Sequence, residues 1–264
     1  MNSKSSWILA LIIFFRSNRT QANEPDTTHI NWLRLAGTST LVVGVSAYAV
    51  NHELETWGRT RGKFHFKDDW NGDYLAQSDE ASHLLYAYKM TQLAYMLARF
   101  CGFSKRVSLY AGSSIAFLWM FSVEYPIDAY NPKQGFGFSD LAFNIAGVAS
   151  AFFREKYPKL KSFDFKLTFK DNPFKRKSII AQSINEYDNV IYWLTYTPHK
   201  KEIPLNLGLG YSTYRTSWKN PHREFYFTIG TSFSDLWNFI SKPKMLTDFL
   251  GLWEFPLTRH IEKK

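Results

Sequence analysis

A chain of 264 residues with 45% hydrophobic and 18% aromatic content has room for one sizeable core plus an appendix, or for two modest domains. Its net charge is +9, of which +8 falls in residues 154–264; no helix-turn-helix, zinc-finger or RNA-binding signature accompanies it, so anionic lipid headgroups, and not nucleic acid, are the expected partner. A single cysteine, Cys101, excludes an intrachain disulfide and a cysteine zinc cluster, and its apolar setting marks it as a small buried hydrophobe.

Residues 1–22 have the order of a secretory signal: Lys4, an apolar run from Trp7 to Phe15, then Thr20-Gln21-Ala22 before a possible cut. Arg16 and Arg19 after the apolar run leave an uncleaved N-terminal anchor as the alternative. Residues 30–155 are expected to form a helical bundle. Trp32 to Val50 is about long enough to cross a bilayer, and its small residues permit close helix approach; a buried helix of a soluble bundle fits the same run. Asn51 to Asp73 is polar and reads as a surface connection.

Ser78 is positioned to cap a helix running from Asp79 to about Phe100, with Asp79 and Glu80 in the first turn, where carboxylates meet the positive end of the helix dipole. His83, one turn deeper, is not explained by the dipole. Val107 to Val123 is apolar and uncharged, and Glu124 and Asp128 then flank Pro126, which should kink or end the helix. Gly135-Phe136-Gly137-Phe138 reads as a flexible turn, and Ser139 as the cap of a helix from Asp140 to Phe153 that also carries Asn144.

Three polar pairs four residues apart thus stand in apolar, helix-patterned stretches: Asp79 with His83, Glu124 with Asp128, and Asp140 with Asn144. Residues four apart share a helix face, and isolated buried charge is costly, so the three ridges are expected to converge on one site. His83 suits a general base or a metal ligand, Asp79 a group that orients its ring, and Glu124, Asp128 and Asp140 a divalent-cation or proton-shuttling set; Asn144 adds a neutral donor and acceptor. One histidine among carboxylates suits Mg²⁺ or Mn²⁺ as well as Zn²⁺, so the cofactor and the metal stay open.

Beyond Phe163 the period changes to two. Phe163, Phe165, Leu167 and Phe169 alternate with Asp164, Lys166, Thr168 and Lys170, the pattern of a half-buried strand. Similar runs recur at Val190 to Tyr196, Leu205 to Tyr211 and Glu224 to Thr231. Four or five short strands fall short of the eight that a complete membrane barrel needs, so residues 160–264 are expected to form a sheet that covers the helices or lies on a membrane. Leu236 to Trp253 reads as one or two short interfacial helices, and His199, His222 and His260 as surface residues in loops. The expected class is mainly α: a membrane-associated helical bundle followed by a smaller, basic, aromatic-rich α+β region with short antiparallel strands.

Phe66-Lys67-Asp68-Asp69-Trp70, Asp79-Glu80-Ala81-Ser82-His83, Glu124-Tyr125-Pro126-Ile127-Asp128 and the stretch from Gly137 to Gly147, taken in order, resemble the pattern of the YfiM-like predicted periplasmic lipoproteins, a bacterial domain of unknown function. A weaker similarity runs to VanZ-like membrane proteins. Glu80 stands where the family usually has lysine, Glu124 and Asp128 are one residue further apart than usual, and no lipobox cysteine follows the signal-like segment. The resemblance implies a bacterial envelope protein, associated with the inner or outer membrane and facing the periplasm; neither family brings an established reaction. An accessory or structural role, with the polar residues as a network fixing helix register, is the first expectation, and a metal-assisted enzyme or binding protein acting on a lipid-linked or glycan substrate is the alternative.

Overall fold

The computed structural model describes residues 28–68, 70, 75–170, 187–198, 205–215, 221–231 and 261–263. The expected signal segment, the helices anticipated between Leu236 and Trp253, and His199 and His260 lie outside the described residues. Among the described residues, four helices precede the large sheet: α1 (Trp32–Trp57), α2 (Ser78–Phe100), α3 (Lys105–Ser122) and α4 (Phe138–Lys156). Two-residue strands β1 (Phe66–Lys67) and β2 (Phe136–Gly137) pair in parallel, so the residues expected to form a flexible turn before α4 are held in register: Phe66 opposite Phe136 and Lys67 opposite Gly137. Strands β3 (Phe163–Phe169), β4 (Val190–Tyr196), β5 (Asn206–Arg215) and β6 (Pro221–Gly230) form an antiparallel sheet in chain order, with the short β7 (Ile261–Lys263) on its β6 edge.

The helix starts differ in detail from those the sequence suggests. Ser78 is the first residue of α2 rather than its cap; Gln77 holds the cap position in a left-handed conformation, and the Ser78 hydroxyl donates to the Leu75 carbonyl. Ser139 likewise lies inside α4, freeing its hydroxyl for Glu80 of α2. Asn31 does cap α1, accepting from the Arg34 amide. α1 also runs seven residues beyond Val50 into the expected surface connection.

Helices α2, α3 and α4 pack closely because glycine stands at both crossings. A Cβ on Gly147 would lie 2.2 Å from the Leu84 carbonyl oxygen, and one on Gly112 would lie 2.7 Å from the Tyr95 amide nitrogen, so α2 approaches α4 and α3 through backbone contact. α1 is different. Its apolar side chains, among them Trp32, Leu33, Val43, Val45 and Tyr48, are exposed. It is tethered at its start, where Arg34 donates to the Phe100 carbonyl and the Asn31 amide to that of Cys101. Cys101 is buried, as its setting suggests, with Sγ 3.6 Å from Thr38 Oγ1. α1 and the segment Lys105–Tyr130 are both long and apolar enough to cross a membrane.

The sheet docks on α2 through one corner. Leu167, Val190 and Tyr192 pack with Leu85, and the Tyr88 hydroxyl and Lys89 of α2 join Arg154 of α4 on Asp164. At the other end the Tyr211 hydroxyl donates to the carbonyl of Ala76. His222 lies in β6 opposite Tyr214, exposed as expected but on a strand rather than a loop.

Register divides the sheet into two faces of unlike chemistry. On one, the cross-strand rows read Leu167-Tyr192-Tyr211-Phe225, Phe165-Leu194-Leu209-Phe227 and Phe163-Tyr196-Leu207-Ile229. On the other they read Lys166-Trp193-Gly210-Tyr226 and Asp164-Thr195-Gly208-Thr228. The alternation expected of a half-buried strand is present, yet Lys166 and Thr168 are buried while Phe163 is exposed.

Candidate functional site

Five of the six expected site residues meet where the N-terminal turns of α2 and α4 face the end of α3. Asp79 and His83 come from α2, Asp140 and Asn144 from α4, and Glu124 from the turn that follows α3. The i, i+4 spacing within α2 and α4 is what puts each pair on one face. Both aspartates sit in a first helical turn, where the dipole favours carboxylate.

Asp128 stands beyond a break in the helix. The chain leaves helical geometry at Tyr125 (φ −141°, ψ 117°) beside Pro126, so Glu124 and Asp128 do not share a continuous helix face and the four-residue spacing loses its meaning. Glu124 turns into the bundle and is buried. Asp128 begins a 3₁₀ turn whose carbonyl accepts from the amides of Asn131 and Gly135, and the leading charges acting on His83 are Asp140, Glu124 and Asp79.

His83 is the hub. Its Nδ1 lies 3.1 Å from Asn144 Oδ1 and 3.3 Å from Glu124 Oε1, two acceptors, so this nitrogen carries a proton. The Asn144 amide nitrogen donates in turn to Glu124 Oε1 at 3.2 Å. Nε2 points the other way, 3.5 Å from Asp79 Oδ1 and 3.8 Å from Asp140 Oδ1. Burial by itself would push the imidazole down; the carboxylates of Asp140, Glu124 and Asp79 outweigh it and raise its pKa to about 10.

A residue that sequence reasoning passed over completes the cluster. Lys67 donates from Nζ to Asp140 Oδ2 at 3.1 Å and to Asp79 Oδ2 at 3.3 Å. It arrives there because β1 pairs with β2 immediately before α4, which sets Lys67 opposite Gly137, three residues ahead of Asp140. Rings of Phe64, Phe66, Phe136 and Phe138 pack around this short ladder with centroids 5.0 to 6.4 Å apart. The alternation Phe64, His65, Phe66, Lys67 was the available sign of a strand. Burial works against the Lys67 ammonium, but Asp79 and Asp140 hold its pKa above the ordinary lysine value. The carboxylates respond unequally: burial raises Asp140, whereas for Asp79 the charges of His83 and Lys67 overcome burial and lower it. Glu80, fully buried, accepts from the Ser139 hydroxyl at 2.9 Å and ties the same two helix starts together.

The cluster is graded in depth. Glu124 and Asn144 lie innermost, His83 and Asp79 come partway out, and Lys67, one quarter exposed, lies nearest the surface. Asp79, His83 and Asp140 each offer one ligand atom, and these atoms all lie within 4.8 Å of one another. Neighbouring ligands of an octahedral cation at about 2.1 Å lie roughly 3 Å apart, so small side-chain movements would close the set. Compared with protein-family models, curated proteins and solved structures, the chain matches none.

Proposed function

We propose that this chain is a membrane-associated protein of the bacterial envelope whose helical bundle binds a divalent cation through Asp79, His83 and Asp140. The observation that carries the reading is the orientation of His83. Its Nδ1 is tied to Asn144 and Glu124, which directs Nε2 toward the buried carboxylate oxygens of Asp79 and Asp140. A ligating imidazole is ordinarily held this way, by a partner on its other nitrogen, and an incoming cation would displace the Nε2 proton that the surrounding carboxylates otherwise keep there. Three protein ligands leave coordination positions open, and Lys67 beside them supplies positive charge, an arrangement suited to a phosphate-bearing headgroup. Association with a membrane rests on the exposed apolar surface of α1 and on the basic run beyond α4. The envelope setting rests on the signal-like N-terminus and the family resemblance.

A second reading has its own support. Lys67 and His83 already balance charge among the carboxylates, so the same residues would serve as an ion network that locks the register of α2, α3 and α4. Manganese titration of the detergent-solubilised chain, followed by electron paramagnetic resonance of free Mn²⁺, separates the two. One bound ion per chain, lost in Asp140→Asn and His83→Ala variants that remain folded by circular dichroism, supports the cation centre. Absence of binding, with both variants merely less stable, leaves the register lock and ends the cation proposal.

A further inference from the structure

The sheet is inside out for a protein in water. The face that carries Lys166, Thr195 and Thr228 beside the Ile191, Trp193 and Tyr226 cluster is the buried one, with Lys166 and Thr228 each 3% exposed, whereas Leu209 and Phe225 on the wholly apolar face are 65% and 63% exposed. The glycines also lie on the buried face: a Cβ on Gly210 would come within 2.6 Å of the Trp193 ring. α2 covers only the corner around Leu167 and Tyr192, leaving Leu194, Leu209, Phe227 and Ile229 as a continuous apolar surface. Water selects the opposite arrangement, and a hydrocarbon solvent selects this one.

We infer that the apolar face of β3 to β6 lies against the acyl chains of a bilayer. Hydrocarbon is the occupant on two grounds. First, the surface is continuous with exposed apolar residues at the end of the bundle: Phe153 stacks on Tyr157, Leu160 follows, and Phe163 meets Tyr196 with ring centroids 4.9 Å apart. Second, Lys159 and Lys161 are exposed on the 3₁₀ turn directly before Phe163, at the rim of that surface, where anionic headgroups would border the hydrocarbon.

The inference rests on membrane association, and the test keeps the two apart. The full chain, with Cys101→Ser, is reconstituted into phosphatidylethanolamine/phosphatidylglycerol vesicles carrying one environment-sensitive fluorophore on Leu209→Cys, Phe227→Cys or, as a reference on α1, Val43→Cys. Emission from positions 209 and 227 is expected to be lost with acyl-chain doxyl lipid and retained with aqueous iodide. Loss with iodide, or protection from both quenchers, at positions 209 and 227 while position 43 is quenched by lipid overturns the sheet inference and leaves membrane association standing. If none of the three positions is quenched by lipid, both fall.

Discussion

Replacing Lys67 with methionine tests the cluster most directly, because it removes one charge while keeping most of the side chain's volume. At 3.1 and 3.3 Å from two carboxylates, the ammonium has a gross attraction of about 5 kcal/mol per pair at an effective dielectric constant near 20. Most of that is offset by desolvation, and breaking a buried pair by removing one partner typically costs about 3–5 kcal/mol; the partial exposure of Lys67 points to the lower end, about 3 kcal/mol. The cation reading adds an effect of opposite sign. A divalent ion about 5 Å from an ammonium is repelled by about 1.7 kcal/mol even at the dielectric constant of water, so Lys67→Met should bind Mn²⁺ roughly fifteen- to twentyfold more tightly. Urea denaturation followed by circular dichroism in detergent, with chelator and then with saturating Mn²⁺, should show a large loss of stability that the ion largely repairs. A variant as stable as the parent would refute the electrostatic account of the cluster. A loss of stability that Mn²⁺ leaves untouched would refute the cation centre.

Raising the pH should weaken the metal-free bundle. His83 has a folded pKa of about 10 against an unfolded value of 6.5, so its contribution is complete below pH 6.5 and fades as pH rises toward 10; the shift sets an upper bound of about 5 kcal/mol. Urea midpoints measured across that window should fall for the parent and change less for His83→Gln, and a midpoint that climbs would contradict the assignment. Gly147→Ala drives a Cβ into the Leu84 carbonyl and should cost about 2–3 kcal/mol, whereas Gly44→Ala on exposed α1, with nothing within 4 Å, should be neutral or stabilising by up to about 1 kcal/mol. Thermal melts of the pair provide the comparison. Asp164→Asn weakens contacts from Tyr88, Lys89 and Arg154; the Tyr88 phenol, raised by burial and then by Asp164, should ionise at lower pH in an ultraviolet titration.

Much of the site could be read from the chain alone, for a physical reason. A charged residue in an apolar helical stretch is too costly to leave unpaired, and a spacing of four puts Asp79 with His83, and Asp140 with Asn144, on one helix face each; that logic holds wherever the helix is continuous. It does not extend to Asp128, because the helix is interrupted between Glu124 and Asp128, and there spacing says nothing about direction. Lys67 escaped because a lysine in a polar connection looks like any solvated lysine. Only the pairing of two residues of β1 with two of β2, far apart in sequence, gives it a destination between Asp79 and Asp140.

The order of helices and strands, the apolar length of α1 and the existence of two unlike sheet faces are properties of local pattern, and the sequence determines them by itself. Which sheet face turns inward is not local. Period two separates Phe163, Phe165 and Leu167 from Asp164, Lys166 and Thr168, but the same alternation serves a sheet in water and one in hydrocarbon. Only the packing of α2 on one corner of the apolar side, with the threonines and Lys166 buried on the other, shows which face turns inward.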